Sequence, residues 1–450
     1  MHLQDSLRQR RQKLAQLFKH PVVLWSGSSC SRNFRSNTFP FRASSHFLYF
    51  AGLPLEQAAI RMEAGSLELF MDEGTPSSAL WHGEAPKRKD LAEAMGADAD
   101  FPFADLPHRI RDAATIAVQS ESTRQQQSQL LNRTVAETPS GHDLELASAI
   151  VALRLTHDES AIEELRLAAQ VTVTAHLAGM AATPTAKRES EIRAAMERVI
   201  MAEDMGCSYQ SIVTVHGEVL HNNHYHHLIH AGDLLLADVG AETPTGWAAD
   251  VTRTWPVSGQ FSATQRALYE VVLAAHDACI AKVVPGVEYQ ELHLLAAQVI
   301  AEGLVDLGIL QGKPEDLVAM DAHALFFPHG VGHLLGLDVH DMEDLGDLAG
   351  YESGRSRSER FGLSYLRLNR PLRPGMLVTI EPGFYQVPAL LQDPARRAKY
   401  QKVVNWERLG AFADVRGIRI EDDVLVTESG HEVLTEALST APDIVERSVG

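Results

Sequence analysis

The sequence predicts an α/β domain over residues 1–157, followed by an α+β domain over residues 158–450. A chain of 450 residues is long enough for two sizeable cores. Short apolar runs alternate with helical stretches in the first part, whereas long helices alternate with pairs of strands in the second. We place the boundary near residue 157, because Asp158 and Glu159 put acidic groups in the first turn of a new helix.

Hydrophobic periodicity gives the elements of the first domain. A basic amphipathic helix is expected over residues 6–19, and a buried strand over Val22–Trp25. Alternating apolar pieces follow at 47–50, 58–62 and 67–71; helical stretches are expected near 88–96 and 105–115, and a closing strand at 114–118. We interpret the polar run 121–129 as a surface helix or loop.

In the second domain, two long helices followed by strands occur twice, which suggests an internal structural duplication. The helices are expected over 158–181, 189–203, 264–282 and 289–306, and the strands over 210–215, 234–239, 247–256, 376–381 and 420–427.

The composition excludes several classes of protein. The net charge is −19, with 40 basic and 59 acidic residues, which argues against nucleic acid or an anionic membrane as the partner. The three cysteines (Cys30, Cys207 and Cys279) are far apart, so a disulfide framework is not expected. The N-terminus lacks the apolar core of a signal peptide, and no apolar run is long enough to span a bilayer. We therefore expect a cytoplasmic protein.

Four carboxylates and one imidazole in three short blocks predict a two-metal hydrolytic site. They are Asp238, Asp250, His333, Glu381 and Glu421. Four negative charges neutralise two divalent cations, which lets a buried pocket tolerate carboxylates that would otherwise repel each other. Such a set suits Mn²⁺, our preferred ion, or Zn²⁺ or Co²⁺, rather than metals that need thiolates. Two ions roughly 3.5–4 Å apart can bind one water, lower its pKa and polarise a carbonyl.

Strand ends position these carboxylates. Asp238 ends a buried strand, and Asp250 begins or lies within the next strand, so a turn at 244–246 suits an antiparallel hairpin that brings both together. Glu381 also follows a buried strand, and Glu421 lies where apolar residues alternate with charged ones. Taken singly, each of these is more often a turn, surface or core residue. Their joint occurrence favours a metal site.

These blocks resemble the pita-bread metallopeptidases, the family of methionine aminopeptidase, aminopeptidase P and prolidase. The matching stretches are 235–240, 249–254, 329–333, 379–385 and 417–422. All five ligand positions of the family carry the expected residue type, although the Asp238–Asp250 spacing is one residue longer, in the turn. Residues 41–52 look like the signature of the creatinase/prolidase N-terminal domain, which methionine aminopeptidases lack. The resemblance implies a creatinase/prolidase-like N-terminal domain and a pita-bread catalytic domain.

Within this family, the long connection after His340 is similar to that of prolidases, which carry a Leu-Arg-x-x-Arg segment before the Glu-Pro-Gly motif. This similarity implies that Arg367 binds the free carboxylate of a C-terminal proline. A guanidinium pairs with a carboxylate in a bidentate fork, so the contact would favour dipeptides over longer chains. Alternatively, Arg367 and Arg370 are solvated surface charges.

The resemblance also implies roles for other side chains. His221 and His340 would donate hydrogen bonds to the scissile carbonyl or to the proline carboxylate, and His329 would support one of them in the substrate-binding group. Glu381 would be both a ligand and the general base. Arg419 and Tyr385 would hold Glu421 and the pocket, and Tyr209 would orient an aspartate ligand. The histidines between 224 and 230 are interpreted as a solvated loop.

We therefore expect a dinuclear metal-dependent Xaa-Pro dipeptidase, in which a metal-bridging hydroxide attacks the carbonyl before proline. The partner would be a small peptide, and the resemblance implies a homodimer. The nearest alternative is an Xaa-Pro aminopeptidase acting on longer peptides. A non-catalytic pita-bread binding module and a metal-free creatinase-like amidinohydrolase are further alternatives, and the complete ligand set counts against both. The chain has no Gly-x-Ser-x-Gly motif, so a serine hydrolase is not expected.

Overall fold

The computed structural model describes residues 3–450, which divide into two compact units. The first unit extends to Ile162 and includes residues 244–246 and 342–349, and the second contains the remainder. This division falls inside the helix Glu159–Ala182, whereas the predicted boundary at 157/158 precedes that helix and stays a prediction. None of the helices within residues 3–450 has the length and apolar character needed to cross a membrane.

The first unit is built on a four-stranded sheet in the order Val22–Trp25, Ala59–Glu63, Ser66–Phe70 and Ala99–Phe101. The first three strands pair antiparallel, and the last pair is parallel. A separate hairpin joins Ser31–Phe34 to Asn37–Thr38. The α-helices of this unit are Leu3–Leu17, Ser45–Ala51, Pro76–His82, Arg88–Met95, Glu121–Leu130 and His142–Arg154, and Phe103–His108 is a 3₁₀-helix.

Several predictions for this unit were wrong, and one helix was missed. The apolar run 47–50 lies in a helix, and His142–Arg154 is a helix that we did not predict. Residues 105–115 form only the end of a 3₁₀-helix and turns, since Pro107 has no N–H for a helical hydrogen bond.

The strand predicted at 114–118 is reduced to one parallel bridge between Val22 and Ala114. The neighbouring backbone donors bond to side chains instead of a second strand. The N–H of Thr115 donates to Asp143, and that of Val118 donates to Gln127. These side chains satisfy the backbone, so no ladder extends from the bridge.

The second unit contains two three-stranded antiparallel sheets, each preceded by two long helices. The first sheet has the order Thr252–Pro256, Leu234–Asp238, Ile212–Thr214, and the second Leu377–Ile380, Asp422–Val426, His431–Val433. The preceding helices are Glu159–Ala182 and Glu189–Ala202 for the first sheet, and Ala263–Ala281 and Tyr289–Asp306 for the second. This order agrees with the predicted duplication.

Shorter elements complete this unit. Two-stranded pairs join Gly206–Cys207 to Ala241–Glu242, and Gly383–Tyr385 to Gly417–Arg419. The remaining helices are Pro314–Ala319, Pro388–Leu391, Pro394–Tyr400, Trp406–Gly410 and Pro442–Val449, with 3₁₀ turns at Thr183–Thr185 and His323–Leu325. Two further short elements, Glu343–Leu345 and Asp347–Gly350, lie in or border the segment 342–349, which belongs to the first unit.

The predicted hairpin is present, and its register aligns Asp238 with Thr252. Asp250 precedes the strand Thr252–Pro256 instead of lying within it, but the pairing continues irregularly, because the N–H of Val239 donates to the carbonyl of Val251. Every residue of both hairpin strands is buried. A buried, paired backbone therefore holds the carboxylate end of the hairpin.

Candidate active site

Asp238 and Asp250 converge on one phenol. The hydroxyl of Tyr209 donates to Oδ1 of Asp238 and lies 2.6 Å from Oδ1 of Asp250. Burial raises the pKa of Tyr209 well above its usual range, so the phenol stays protonated. A phenol has one proton, so the second contact requires a proton on a carboxyl. Burial, together with the charge of Asp238, raises the pKa of Asp250 to about 8, which keeps a proton there at neutral pH.

Glu421 is attached to the same hairpin at two points. Its N–H donates to the carbonyl of Thr252 (3.0 Å), and the hydroxyl of Thr252 donates to Oε2 of Glu421 (2.7 Å). Glu421 lies between the strands Gly417–Arg419 and Asp422–Val426, and it is 2% exposed. The two sheets of the second unit thus contribute carboxylates to one place.

His333 and Glu381 are neighbours because their backbone segments pair. The N–H of Thr379 donates to the carbonyl of His333, and the N–H of Glu381 donates to that of Val331. Nε2 of His333 lies 3.4 Å from Oδ2 of Asp250 and 3.6 Å from Oε1 of Glu381. Nδ1 of His333 lies 3.0 Å from the carbonyl of Leu334, a contact that favours the tautomer with a ligating Nε2.

Gly332 makes this pairing possible. It has φ +154°, and a Cβ at this position would lie 2.2 Å from the carbonyl oxygen of Thr379 and 2.3 Å from the hydroxyl of Tyr289. Tyr289 itself donates to that carbonyl at 2.6 Å. Any side chain would push His333 away from Glu381, so the glycine in the His-Gly-Val-Gly-His block has a packing reason.

The electrostatics of this cluster fit bound cations. One ligand atom from each of Asp250, His333 and Glu421 lies within 4.8 Å of the others. Burial raises the pKa of Glu381 to about 7 and that of Glu421 well above its usual range, with Asp250 adding to both shifts. Buried carboxyl groups that hold protons at neutral pH would ionise if positive charge were placed beside them. Divalent ions would supply that charge, and the donor set of carboxylate oxygens and one imidazole suits Mn²⁺, Co²⁺ or Zn²⁺.

Arg419, Tyr385 and His329 form a hydrogen-bonded chain beside the carboxylates. Nη1 of Arg419 donates to the hydroxyl of Tyr385 (3.0 Å), and that hydroxyl lies 2.9 Å from Nε2 of His329. Nδ1 of His329 lies 2.7 Å from the carbonyl of Gly330. Burial and the charge of Arg419 lower the pKa of His329 to about 3, so this imidazole is neutral. One tautomer satisfies both contacts: Tyr385 donates to Nε2, and Nδ1–H donates to Gly330.

The remaining substrate-binding residues from the sequence lie around the same cluster. The ring of His340 is T-shaped to that of His333 at 4.3 Å. His221 is exposed, and its pKa is lowered by burial of part of the ring and by the charges of Arg419, Arg367 and His340. The charge of Arg367 therefore contributes to the lowered pKa of His221.

Several residues that support the site were not singled out from the sequence. Arg253 is fully buried and donates to the carbonyl of Glu421 at 2.6 Å and to Oδ1 of Asp422 at 2.7 Å. Asp422 also lies 3.0 Å from Nε2 of His276. Burial would raise the pKa of Asp422, but Arg253 and His276 hold it below its usual range. Arg253 and Asp422 lie within the stretches 249–254 and 417–422, which resemble the family. The sequence does not show that they are buried, and only their burial would have indicated an ion pair.

The histidine run is less uniform than predicted. His224, His226 and His230 are exposed, as a solvated loop requires. Nδ1 of His227, however, lies 2.8 Å from Oε2 of the buried Glu189. The run is thus anchored to the helix Glu189–Ala202 through one member.

Two family models match the chain. Residues 163–428 match metallopeptidase family M24, and residues 7–120 match the aminopeptidase P N-terminal domain. The chain belongs to metallopeptidase family M24. It is 32% identical over 454 residues to the Xaa-Pro dipeptidase of Homo sapiens, covering 94% of this chain and 87% of that protein. It is 30% identical over 415 residues to a probable Xaa-Pro aminopeptidase of Tuber melanosporum, covering 90% and 87%.

Solved structures are similar over nearly the whole chain. The Pseudomonas aeruginosa aminopeptidase PepP has a TM-score of 0.80 and 29% identity, covering 99% of this chain and 98% of that chain. Aminopeptidase P from E. coli with the inhibitor Pro-Leu has a TM-score of 0.80 and 25% identity at the same coverage. The predicted fold class, a creatinase-like N-terminal domain followed by a pita-bread catalytic domain, is confirmed.

Proposed function

We propose that this protein is a dinuclear metal-dependent peptidase that hydrolyses Xaa-Pro bonds, with Xaa-Pro dipeptides as its substrates. Membership of family M24 and the names of its relatives support the Xaa-Pro bond. Relatives with dipeptidase and aminopeptidase names share nearly the same identity, 32% and 30%, so identity does not favour either. The choice of dipeptides rests on the surroundings of Arg367.

The observation that carries the proposal is the association of Arg367 with the histidines of the site. Its charge contributes to the lowered pKa of His221, along with Arg419 and His340. Its backbone packs on the histidine block, because the N of Arg367 is 3.5 Å from where a Cβ of Gly330 would stand. A guanidinium here suits the carboxylate of a C-terminal proline. A longer peptide has no charge at this point, so it would lack this contact with the guanidinium.

The metals would be held by the five residues already described, Asp238, Asp250, His333, Glu381 and Glu421. When bound, divalent ions supply a Lewis acid for the carbonyl and a water of lowered pKa. Mn²⁺ is our preferred ion, with Zn²⁺ and Co²⁺ as alternatives.

We assign the following roles to the side chains of the protein. Glu381, with a pKa of about 7 without metal, accepts the proton of the attacking water and passes it to the leaving proline nitrogen. His221 and His340 donate hydrogen bonds to the carbonyl oxygen or the proline carboxylate. Both nitrogens of His329 have partners in the protein, so we assign it to supporting Gly330 instead of contacting substrate.

The test is hydrolysis of Ala-Pro and Ala-Pro-Ala by metal-stripped protein, without metal and with added Mn²⁺, Zn²⁺ or Co²⁺. We expect Mn²⁺-dependent release of proline from the dipeptide alone. Cleavage of both peptides would favour the Xaa-Pro aminopeptidase. Cleavage of neither with any of the three ions would contradict the peptidase and favour a binding module or an amidinohydrolase.

Arg367→Ala and Arg370→Ala form a matched pair for this test. The charges that affect the pKa of Arg370 are Arg373, Glu352 and Arg355, none of which belongs to the site. We expect Arg367→Ala to lower kcat/KM for Ala-Pro by about 100-fold, as for a lost charged hydrogen bond, and Arg370→Ala to leave it nearly unchanged. Equal rates for both variants would exclude carboxylate recognition by Arg367.

Three further features stay proposals. The homodimer and the domain boundary at 157/158 rest on resemblance and on the helix start at Asp158. The cytoplasmic location rests on the sequence alone. Size-exclusion chromatography with light scattering would test the dimer directly.

A further inference from the structure

We propose that His20, His142 and Glu145 form a separate binding site for a divalent transition metal, in the first unit of the chain. One potential ligand atom from each residue lies within 4.8 Å of the others. The rings of His20 and His142 are 4.0 Å apart, and Nδ1 of His142 lies 3.1 Å from Oε2 of Glu145. Residues 122 positions apart in sequence, His20 and His142, thus meet through the fold.

The local structure explains why these three side chains meet. His20 lies in the short turn between the helix Leu3–Leu17 and the strand Val22–Trp25. His142 is the first residue of the helix His142–Arg154, and Glu145, three residues later, lies on the same face. Phe18, buried beside the turn, has its ring 5.5 Å from that of His20. One helix, which carries His142 and Glu145, and one packed turn, which carries His20, therefore limit the positions of these groups.

The nearby charged groups have other partners. Asp143, between His142 and Glu145, accepts from Nη1 and Nη2 of Arg133 and from the N–H of Thr115. Nζ of Lys19 donates to the carbonyl of Ala15 at 2.7 Å. The cluster thus offers two imidazoles and one carboxylate as ligands, while Asp143 and Lys19 are held by these other contacts.

The ligand chemistry selects the ion. Two imidazoles and one carboxylate suit Zn²⁺, Ni²⁺, Co²⁺ or Cu²⁺, whereas Mg²⁺ and Ca²⁺ prefer oxygen ligands only. At Zn–N and Zn–O distances of about 2.0–2.2 Å, tetrahedral ligand atoms lie about 3.4 Å apart. All three side chains are exposed, so small rotations could draw the atoms together, and water would fill the remaining coordination positions. The ion would link the turn at His20 to the start of the helix His142–Arg154.

The test compares Zn²⁺ binding by three full-length, metal-stripped proteins in calorimetric titrations: wild type, His20→Ala/His142→Ala, and His82→Ala/His108→Ala. The control pair removes two other exposed histidines of the same unit. All three proteins retain the residues of the proposed dinuclear site, so the difference between isotherms isolates the new site. We expect the first variant to bind about one equivalent less Zn²⁺ than either the wild type or the control variant.

Glu145→Gln keeps the shape and removes only the charge. We expect it to weaken the same binding class by tenfold or more, with an unchanged melting temperature in EDTA. Isotherms for His20→Ala/His142→Ala that match those of the control variant would overturn the proposal. The readout is metal stoichiometry and not hydrolysis. Failure of the proposed metal site can therefore be distinguished from failure of the proposed peptidase function.

Discussion

Nη2 of Arg419 lies 2.5 Å from Oδ2 of Asp238, so a guanidinium from one sheet holds the carboxylate at the end of another. The same guanidinium donates to Thr252 through Nε at 2.9 Å. Thr252 in turn donates to Glu421. Arg419 therefore positions two carboxylates, Asp238 directly and Glu421 through one hydroxyl. This arrangement gives each supporting side chain a distinct and testable effect.

Removal of the Thr252 hydroxyl should weaken metal binding. Thr252→Val keeps the shape and the β-branched side chain but deletes the donor to Oε2 of Glu421 and the acceptor for Arg419. Loss of such a supporting contact typically lowers metal affinity 10–100-fold. We expect that loss in the Kd for Mn²⁺, measured by competition with a chelating indicator.

Thr254→Val is the matched control. Thr254 is also fully buried on the strand Thr252–Pro256, but its hydroxyl bonds to the backbone of Arg419. The Thr254→Val substitution should reduce stability without a comparable loss of Mn²⁺ affinity. Equal losses of affinity in both variants would mean that strand packing, and not the Thr252–Glu421 bond, determines metal binding.

Tyr385→Phe should reduce turnover. The change leaves Nη1 of Arg419 and Nε2 of His329 without their shared hydroxyl, so both side chains lose an orienting partner. We expect kcat/KM for Ala-Pro to fall about 10–100-fold. Tyr269→Phe, which deletes another buried hydroxyl that bonds to the carbonyl of Thr440, is the control and should keep its activity. Full activity of the Tyr385→Phe enzyme would show that the hydrogen bonds from Tyr385 to Arg419 and His329 are not needed for catalysis.

Gly330→Ala should raise KM more than it lowers kcat. A Cβ there would stand 3.0 Å from the carbonyl oxygen of Tyr365 and 3.1 Å from Cα of Leu366, and both are backbone atoms. The segment that carries Arg367 must shift, so we expect KM for Ala-Pro to rise about tenfold or more. A Cβ on Gly232 would have no neighbour within 4 Å, so Gly232→Ala should behave as wild type. A fall in kcat alone would contradict a role in substrate binding.

The metal-free protein should lose stability as the pH rises from 7 to 8.5. Asp250, with a pKa of about 8, and Glu421, whose pKa is raised well above its usual range, hold protons in the folded state that the unfolded chain has already released. Protons are therefore taken up on folding. As the pH rises, each such group lowers the free energy of unfolding by up to about 1.4 kcal/mol per pH unit, until the pH passes the pKa of that group in the folded state. The buried His329, with a pKa of about 3, acts in the opposite direction but only below about pH 6.5.

Melting temperatures in EDTA at pH 7 and 8.5 would measure this effect. We expect a lower value at pH 8.5, and we expect saturating Mn²⁺ to remove the difference. Asp250→Asn should flatten the dependence, since an amide does not titrate. Greater stability of the metal-free protein at pH 8.5 would show that these carboxyls ionise without a cation.

Sequence patterns were sufficient where the physical cause is local. The strand Leu234–Asp238, the hairpin to Thr252–Pro256 and the carboxylates at strand ends all follow from runs of apolar residues and their turns. The prediction at 114–118 failed because Asp143 and Gln127, outside that window, satisfy its backbone donors. Local propensity cannot indicate such a partner.

The types and order of the five expected metal ligands were thus determined by the sequence alone, together with the elements that carry most of them. Only the tertiary structure decided which supporting group meets which carboxylate. It joined Tyr209 to both Asp238 and Asp250, and it joined Arg419 directly to Asp238 while Thr252 reaches Glu421. These contacts connect residues more than 25 positions apart, across sheets whose packing sets the angles. A hydrogen bond depends on such angles and on a few tenths of an ångström, which no sequence spacing specifies.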